Sequence, residues 1–141
     1  MIDITAMSPD FQRILFVEDD PDIQLVAKMA LEAVGGFRVL ACSSGTEALA
    51  RCEELAPDLI LLDVMMPGMD GPATLAALRQ IPSLREVPVV FMTARVQAQE
   101  VSNYHQLGAA AVIAKPFDPM TLSDQVRAIW KNLPPRPGSG A

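Results

Sequence analysis

The stretch "LLDVMMPGMDG", residues 61–71, joins an apolar run to one aspartate, Asp63, and then to a loop of methionine, proline and glycine. Its first two residues complete the apolar run "DLILL" (58–62). Such a run is expected for a central strand of a parallel sheet that is buried on both faces. A carboxylate at the edge of a core is costly unless another group balances its charge. Asp63 therefore indicates a site whose other members lie elsewhere in the sequence.

Short apolar runs alternate with amphipathic stretches along the chain. The predicted strands are residues 13–17, 37–42, 58–62, 88–92 and 110–114. We expect five helices, the first running from Pro21 without interruption to Gly35 and the last beginning near Asp118. This alternation is typical of an α/β fold, a doubly wound five-stranded parallel sheet with five helices on its two faces. Asp20 is predicted to cap the first helix, and Ser44 with Glu47 predicts a capping box for the second.

The composition limits the classes of partner. Seventeen acidic residues against eleven basic ones give a net charge of −6, which argues against nucleic acid. No apolar run is long enough to span a membrane, and the N-terminus lacks the features of a signal peptide. Cys42 and Cys52 are too few for a disulfide framework, so they are interpreted as buried thiols in a reducing compartment. We expect a cytoplasmic protein with neither nucleic acid nor membrane as partner.

The 141 residues suffice for one domain. It is predicted to cover residues 12–132, after a short N-terminal extension (1–11) and before a tail (133–141) rich in proline and glycine. The tail is expected to be disordered. Because only this tail follows the last predicted helix, we expect the chain to act without a DNA-binding or enzymatic output domain.

Chemically active side chains follow four of the five predicted strands. Ligands of an open parallel sheet bind outside the carboxyl ends of its strands, so these residues are expected to converge. They are Glu18 and Asp19 after the first strand, Asp63 after the third, Thr93 after the fourth and Lys115 after the fifth. Each has a simpler interpretation when taken alone: a solvated loop acid, a turn residue, a helix cap or a surface lysine. Together they predict one site.

Four motifs in this order, "ILFVEDDPDI", "LLDVMMPGMDG", "VVFMTA" and "AAVIAKPF", resemble the receiver domain of bacterial two-component response regulators. The resemblance covers about residues 12–132. It implies a flavodoxin-like fold of the receiver type and a signalling phosphoacceptor rather than an enzyme, with self-catalysed phosphorylation and dephosphorylation. The implied donor is a histidine kinase or a histidine phosphotransfer domain. The chain would then signal by binding an unknown downstream protein or by passing the phosphoryl group on.

The resemblance also assigns the metal site. Asp63 is implied to be the phosphoacceptor, and Glu18 and Asp19 to hold Mg²⁺ (or Mn²⁺) with it, Asp19 directly and Glu18 through water. The backbone carbonyl of Met65 would complete the protein's share of the ligands. Mg²⁺ binds a few carboxylates and retains water molecules, which suits an open acidic cluster. Close carboxylates raise one another's pKa, and a metal ion and Lys115 would offset this and keep Asp63 ionised as a nucleophile.

The resemblance implies that Thr93 bonds the phosphoryl group and that Lys115 pairs with Asp63, with a cis peptide before Pro116. In one position the sequence departs from the family. The family often has an aromatic residue three positions before the lysine, and here that position is Val112. An aromatic rotamer switch is therefore absent, and we expect phosphorylation to reshape residues 93–108 through Thr93 alone.

Ile23, Val26 and Ala27 of the first predicted helix are the candidate docking surface for the phosphodonor. Two other classes of protein compete with this interpretation. One is a pseudo-receiver that is not phosphorylated and serves only as an interaction module, against which the complete residue set argues. The other is an enzyme: an aspartyl phosphatase typically has a second Asp where Met65 stands, and a flavin site requires a phosphate-binding loop in place of the acidic first loop.

Overall fold

The sheet of this protein has five parallel strands in the order β2-β1-β3-β4-β5. The computed structural model describes residues 11–134. The strands are β1 Arg13–Val17, β2 Arg38–Cys42, β3 Leu59–Asp63, β4 Val89–Thr93 and β5 Ala111–Ala114. The predicted fold class is confirmed, and each strand begins and ends within one residue of its expected limits. This order is that of the flavodoxin-like fold. In this fold β2 lies on one side of β1 and the later strands are added on the other side, so the strand order switches between β1 and β3.

Within residues 11–134, five α-helices connect or follow the strands, as predicted. They are α1 Pro21–Met29, α2 Gly45–Leu55, α3 Gly71–Leu78, α4 Ala98–Gln106 and α5 Leu122–Lys131. Asp20 caps α1, because its side chain accepts hydrogen bonds from the N–H groups of Asp22 and Ile23. The capping box of α2 is modified: Ser44 accepts from the N–H of Glu47, but the Glu47 carboxylate accepts from Ser43.

The last helix begins four residues later than expected. Asp118 does not cap α5 but closes a turn before it, in which its carboxylate accepts a hydrogen bond from the N–H of Met120. Its backbone oxygen accepts from the N–H groups of Thr121 and Leu122. Asp118 therefore stabilises the connection between β5 and α5, and the prediction that α5 starts near it was wrong.

The first helix is not uniform, in contrast to the prediction. After Met29 the chain continues as a π-helical turn, Ala30–Val34. The Ala30 carbonyl accepts both from the N–H of Gly35 at 3.3 Å and from the Ser123 hydroxyl of α5 at 3.3 Å. A Cβ at Gly35 would lie 2.2 Å from the same hydroxyl. Close packing against α5 therefore accompanies the wider turn, a tertiary effect that the local sequence does not reveal.

Two apolar layers cover the faces of the sheet. One contains Leu15, Leu62 and Phe91 beneath α2, α3 and α4, and the other contains Phe16 and Leu61 beneath α1 and α5. Successive residues of each strand face opposite layers, so both faces are apolar and the carboxyl edge remains for polar groups. No helix within residues 11–134 is long and apolar enough to cross a membrane.

The aromatic ring of Phe11 extends the core beyond the first strand. It stacks on Trp130 of α5 at 4.6 Å between ring centroids and lies 4.7 Å from Phe37. Phe11, the last residue of the predicted N-terminal extension, is thus buried. Residues 1–10 of that extension and 135–141 of the predicted tail lie outside the described part of the chain.

Candidate functional site

The carboxyl edge of the sheet brings together the residues selected from the sequence. Asp63 is the last residue of β3 and Thr93 the last of β4, while Glu18 and Lys115 directly follow β1 and β5. Glu18, Asp63 and Thr93 are all buried, at 1%, 4% and 2% exposure. Burial of two carboxylates at one edge requires a compensating cation.

Lys115 supplies that cation. Its Nζ donates to Oε1 of Glu18 at 2.7 Å and to Oδ1 of Asp63 at 3.0 Å. Burial of the ammonium alone would lower the pKa of Lys115, but its hydrogen bonds to the two carboxylates outweigh this and raise the pKa above its usual 10.5. Burial raises the pKa of Glu18, although the hydrogen bond from Lys115 opposes the effect. The expected pairing of Lys115 with Asp63 is present in the structure.

Glu18, Asp19 and Asp63 form a group of carboxylates that fits a hard cation. One oxygen from each lies within 4.8 Å of the others. Such oxygens are the ligands that Mg²⁺ and Mn²⁺ prefer. Both oxygens of Glu18 are already engaged, one by Lys115 and the other by the N–H of Asp20 at 3.1 Å. Asp19 is exposed, so its carboxylate is free to turn toward an ion.

The second oxygen of Asp63, Oδ2, is the open position of the site. Within residues 11–134 it has no hydrogen-bond partner, whereas Oδ1 receives the Lys115 bond. Every fully buried side-chain nitrogen or oxygen in the described part of the chain has a partner, so Oδ2 reaches solvent. Asp63 is therefore held on one side and accessible on the other, the arrangement that a nucleophile requires.

The loop after β3 is shaped by glycine. Gly71 donates its N–H to the backbone oxygen of Val64 at 2.8 Å. A Cβ at Gly71 would lie 2.6 Å from the backbone oxygen of Asp63, so no other residue fits here without displacing the backbone of Asp63. Gly68 has a φ of +74°, in the left-handed region that favours glycine. Met65, whose carbonyl is the expected ligand, lies in this loop and is 64% exposed.

Thr93 ends β4, and Val112, which stands where the resemblance would have an aromatic residue, lies on the neighbouring strand β5. The Thr93 hydroxyl accepts a hydrogen bond from the N–H of Arg95 at 3.1 Å. Val112 of β5 is half-buried and pairs in register with Phe91 of β4. The aromatic partner of Phe91 instead comes from α4: Tyr104 packs edge-on against it, with the ring centroids 5.5 Å apart. Tyr104 was not selected from the sequence, where its spacing indicates only a core position.

The peptide bond between Lys115 and Pro116 is cis, as expected. Pro116 and Phe117 line an apolar groove of about 440 Å³ beside the site. Ile23 and Val26 of α1, two residues of the predicted docking surface, also line this groove. Ala27 does not belong to this surface: it is completely buried and faces the sheet, so the prediction for this residue was wrong.

Comparisons with known proteins agree with this geometry. Residues 14–127 match the family model of the response regulator receiver domain. The response regulator Rre1 of Synechocystis is 36% identical over 120 residues, which are 85% of this chain and 50% of that protein. The DNA-binding response regulator MtrA of Mycolicibacterium smegmatis is 38% identical over 117 residues, 83% of this chain and 50% of that protein. The chain thus spans about half the length of the curated relatives it matches.

Solved structures share the fold over most of the chain. The chemotaxis response regulator CheY4 of Vibrio cholerae has a TM-score of 0.78 at 27% identity, over 84% of this chain and 98% of that one. The signal receiver domain of a histidine kinase from Syntrophus aciditrophicus has a TM-score of 0.73 at 33% identity, over 86% and 92%. The sequence motifs, the arrangement of the site and these matches agree, and the chain belongs to the response regulator receiver domain family of two-component signalling systems.

Proposed function

We propose that Asp63 accepts a phosphoryl group from a phosphohistidine donor, and that the chain signals through this modification. The observation that supports it best is the environment of Asp63. The carboxylate is almost entirely buried, one oxygen is held by Lys115, and the other is open to solvent. A structural aspartate at the edge of a core has no need of an open oxygen or of two further carboxylates close by.

The proposed reaction is an in-line displacement at phosphorus. Oδ2 of Asp63 attacks and forms the new phosphorus–oxygen bond, while the phosphorus–nitrogen bond of the donor histidine breaks. The electron pair of that bond remains on the imidazole nitrogen, which then takes up a proton. Such transfers depend on positioning and charge neutralisation more than on covalent help from the protein. The same pocket would admit water to the acyl phosphate, giving the self-catalysed loss of the phosphoryl group.

Asp19 and Asp63 are the proposed direct ligands of Mg²⁺ or Mn²⁺, with the backbone carbonyl of Met65. Glu18 is assigned an indirect role through water, because its two oxygens already accept from Lys115 and Asp20. A divalent cation held there supplies positive charge for the phosphoryl oxygens as charge builds up in the transition state. The protein's part is to keep three carboxylates close together despite their mutual repulsion, which Lys115 makes possible.

Lys115 and Thr93 are proposed to hold the phosphoryl group after transfer. When Oδ1 of Asp63 becomes part of an acyl phosphate it loses most of its charge, and the Lys115 ammonium can turn to a phosphoryl oxygen. A lysine suits this task because it is a compact charge on a flexible stem. The Thr93 hydroxyl, which now accepts from Arg95, has a proton of its own to donate.

The proposed donor is a histidine kinase or a histidine phosphotransfer domain, and the groove between α1 and Phe117 is its proposed docking surface. This groove is lined mainly by apolar residues, and Lys115, which bonds Asp63, also lines it. The proposed downstream partner is a further protein. The net charge of −6 still predicts that the chain does not bind nucleic acid. MtrA is described as DNA-binding, but the match covers only 50% of that protein, so this property is not carried over to the present chain. The two buried free thiols support a cytoplasmic location.

Phosphorylation by acetyl phosphate in the presence of Mg²⁺, followed by intact mass measurement, tests the proposal. The wild-type chain is expected to gain the mass of one phosphoryl group, and Asp63→Asn to gain none. Asp70→Asn is the matched control, since Asp70 caps α3 and takes no part in the site. A phosphoryl group retained by Asp63→Asn, or its absence from the wild type with every phosphodonor tried, would refute the assignment.

A further inference from the structure

Gln24, in the first turn of α1, joins the acidic loop after β1 to the loop after β2. Its Nε2 lies 3.0 Å from the backbone oxygen of Glu18, 3.2 Å from that of Cys42 and 3.3 Å from the Ser43 hydroxyl. Long side chains on a helix point back toward its N-terminus, which is how Gln24 reaches residues that precede α1. One side-chain amide therefore serves acceptors from two separate loops.

These contacts fix the backbone of Glu18 from both sides. The N–H of Glu18 donates to the Cys42 oxygen at 3.0 Å, and the Glu18 oxygen accepts from Gln24. Gln24 also donates to the same Cys42 oxygen. The peptide group that joins Glu18 to Asp19 is thus tied to the end of β2, and its orientation depends on the Gln24 amide.

Asp19 is the residue that this orientation affects most. Glu18 and Asp63 are held through their carboxylates by Lys115. The Asp19 side chain is exposed and, within residues 11–134, makes no hydrogen bond or ion pair. Only its backbone keeps an Asp19 oxygen within 4.8 Å of the other two carboxylates. A tilt of the peptide before it would move that carboxylate away from the cluster.

We propose that Gln24 is a positioning residue for the divalent cation site: by fixing the Glu18–Asp19 peptide it holds the Asp19 carboxylate in place for the ion. This inference rests on the proposed function, because it deepens the assignment of Glu18, Asp19 and Asp63 to a cation. Groups that orient metal ligands typically change metal affinity by about 10- to 100-fold when removed. An effect of that size is expected for the loss of the Gln24 amide.

Gln24→Glu gives the sharpest test, with Mn²⁺ affinity of the metal-free protein measured by calorimetry and by electron paramagnetic resonance. The substitution preserves length but removes the donor and adds a negative charge. If charge alone governed the site, Mn²⁺ would bind more tightly; positioning predicts binding weaker by about 10- to 100-fold. Gln125→Glu on α5 adds the same charge at a glutamine whose side chain donates to the Thr121 hydroxyl, and is expected to leave affinity unchanged.

The possible results separate the two proposals. Gln24→Glu that binds Mn²⁺ as well as the wild type, or better, overturns the role of Gln24 and leaves the cation site intact. A lower unfolding midpoint with unchanged Mn²⁺ affinity of the folded protein also overturns it. A wild-type chain that binds no Mn²⁺ removes the proposed cation site and with it this role. If Gln24→Glu does not fold, the Mn²⁺ affinity of Gln24→Met is measured instead, because methionine keeps the length of the side chain without its amide or a charge. Weaker Mn²⁺ binding supports the role of Gln24, and unchanged binding overturns it.

Discussion

Lys115 Nζ lies 3.0 Å from Oδ1 of Asp63, and a separate contact of 2.7 Å joins it to Glu18. One ammonium therefore pairs with two buried carboxylates that come from the ends of different strands. This shared ion pair ties β5 to β1 and β3 at the carboxyl edge of the sheet. It leaves the remaining oxygen of Asp63 accessible, and the stability of the metal-free protein should depend on it.

Replacing Lys115 by Met is expected to lower the free energy of unfolding of the metal-free protein by about 3 kcal/mol at neutral pH, because both carboxylates lose their cation. Because the folded-state pKa of Lys115 lies above 10.5, this stabilisation is complete below pH 10.5 and is lost as pH rises through the folded-state value. Urea titrations of both proteins across this range measure the difference. Lys28→Met, which removes an exposed pair with Glu32, should cost less than about 1 kcal/mol. Equal effects of the two substitutions would contradict the buried pair.

Cys42 provides a second pH-dependent contribution to stability. Burial raises the pKa of its thiol from 9.0 to about 11, and Cys42 is completely buried. The protonated thiol therefore stabilises the fold below pH 9, and this contribution, on the order of 2 kcal/mol, is lost as pH rises toward 11. Stability of the wild type should fall more steeply over this range than that of Cys42→Ala. Parallel curves for the two proteins would argue against the shifted pKa.

Replacing Gly71 by Ala is expected to destabilise the protein by about 1–3 kcal/mol, because the new methyl group would meet the backbone of Asp63 and Val64. The same change should slow phosphorylation by acetyl phosphate, since it displaces the acceptor. Gly36→Ala is the control: Gly36 has a positive φ but no atom within 4 Å of the added carbon, so only conformational strain of about 1 kcal/mol applies. Phosphorylation of Gly71→Ala at the wild-type rate would show that the loop can adjust.

The segment 93–108 is predicted to respond to phosphorylation through Thr93, Phe91 and Tyr104, since β5 has no aromatic residue to move. Amide chemical shifts recorded with and without Mg²⁺ and beryllium fluoride, a phosphoryl mimic, are expected to change along α4. Thr93→Val should retain binding of the mimic but lose the changes in α4. Shift changes confined to the residues around Asp63 would mean that the chain carries phosphate without a conformational switch.

The sheet and most of the site could be predicted because both depend on local patterns. Apolar runs such as residues 58–62 define strands that are buried on both faces, and the polar residue after each strand then has only one edge to occupy. Asp63, Glu18 and Lys115 meet there for that reason.

The remaining features depend on tertiary contacts between distant segments. The π-helical turn at Ala30 is linked to Ser123, more than ninety residues further along the chain. The burial of Ala27 depends on the rotation of α1 on the sheet. In the sequence Gln24 looks like an ordinary exposed helix residue. Its role depends on the fold, which brings the backbone oxygen of Glu18 after β1 and two acceptors at the end of β2, Cys42 and Ser43, to the same amide.

Phe11 and Trp130 stack face to face, so the point where the polypeptide enters the domain lies beside the point where it leaves. Trp130 is the sole tryptophan, and its emission will therefore report on this junction, at the amino edge of the sheet, rather than on cation capture at the opposite edge. A shift in the Trp130 emission upon phosphorylation would show that the modification at the carboxyl edge changes the structure at the amino edge of the sheet.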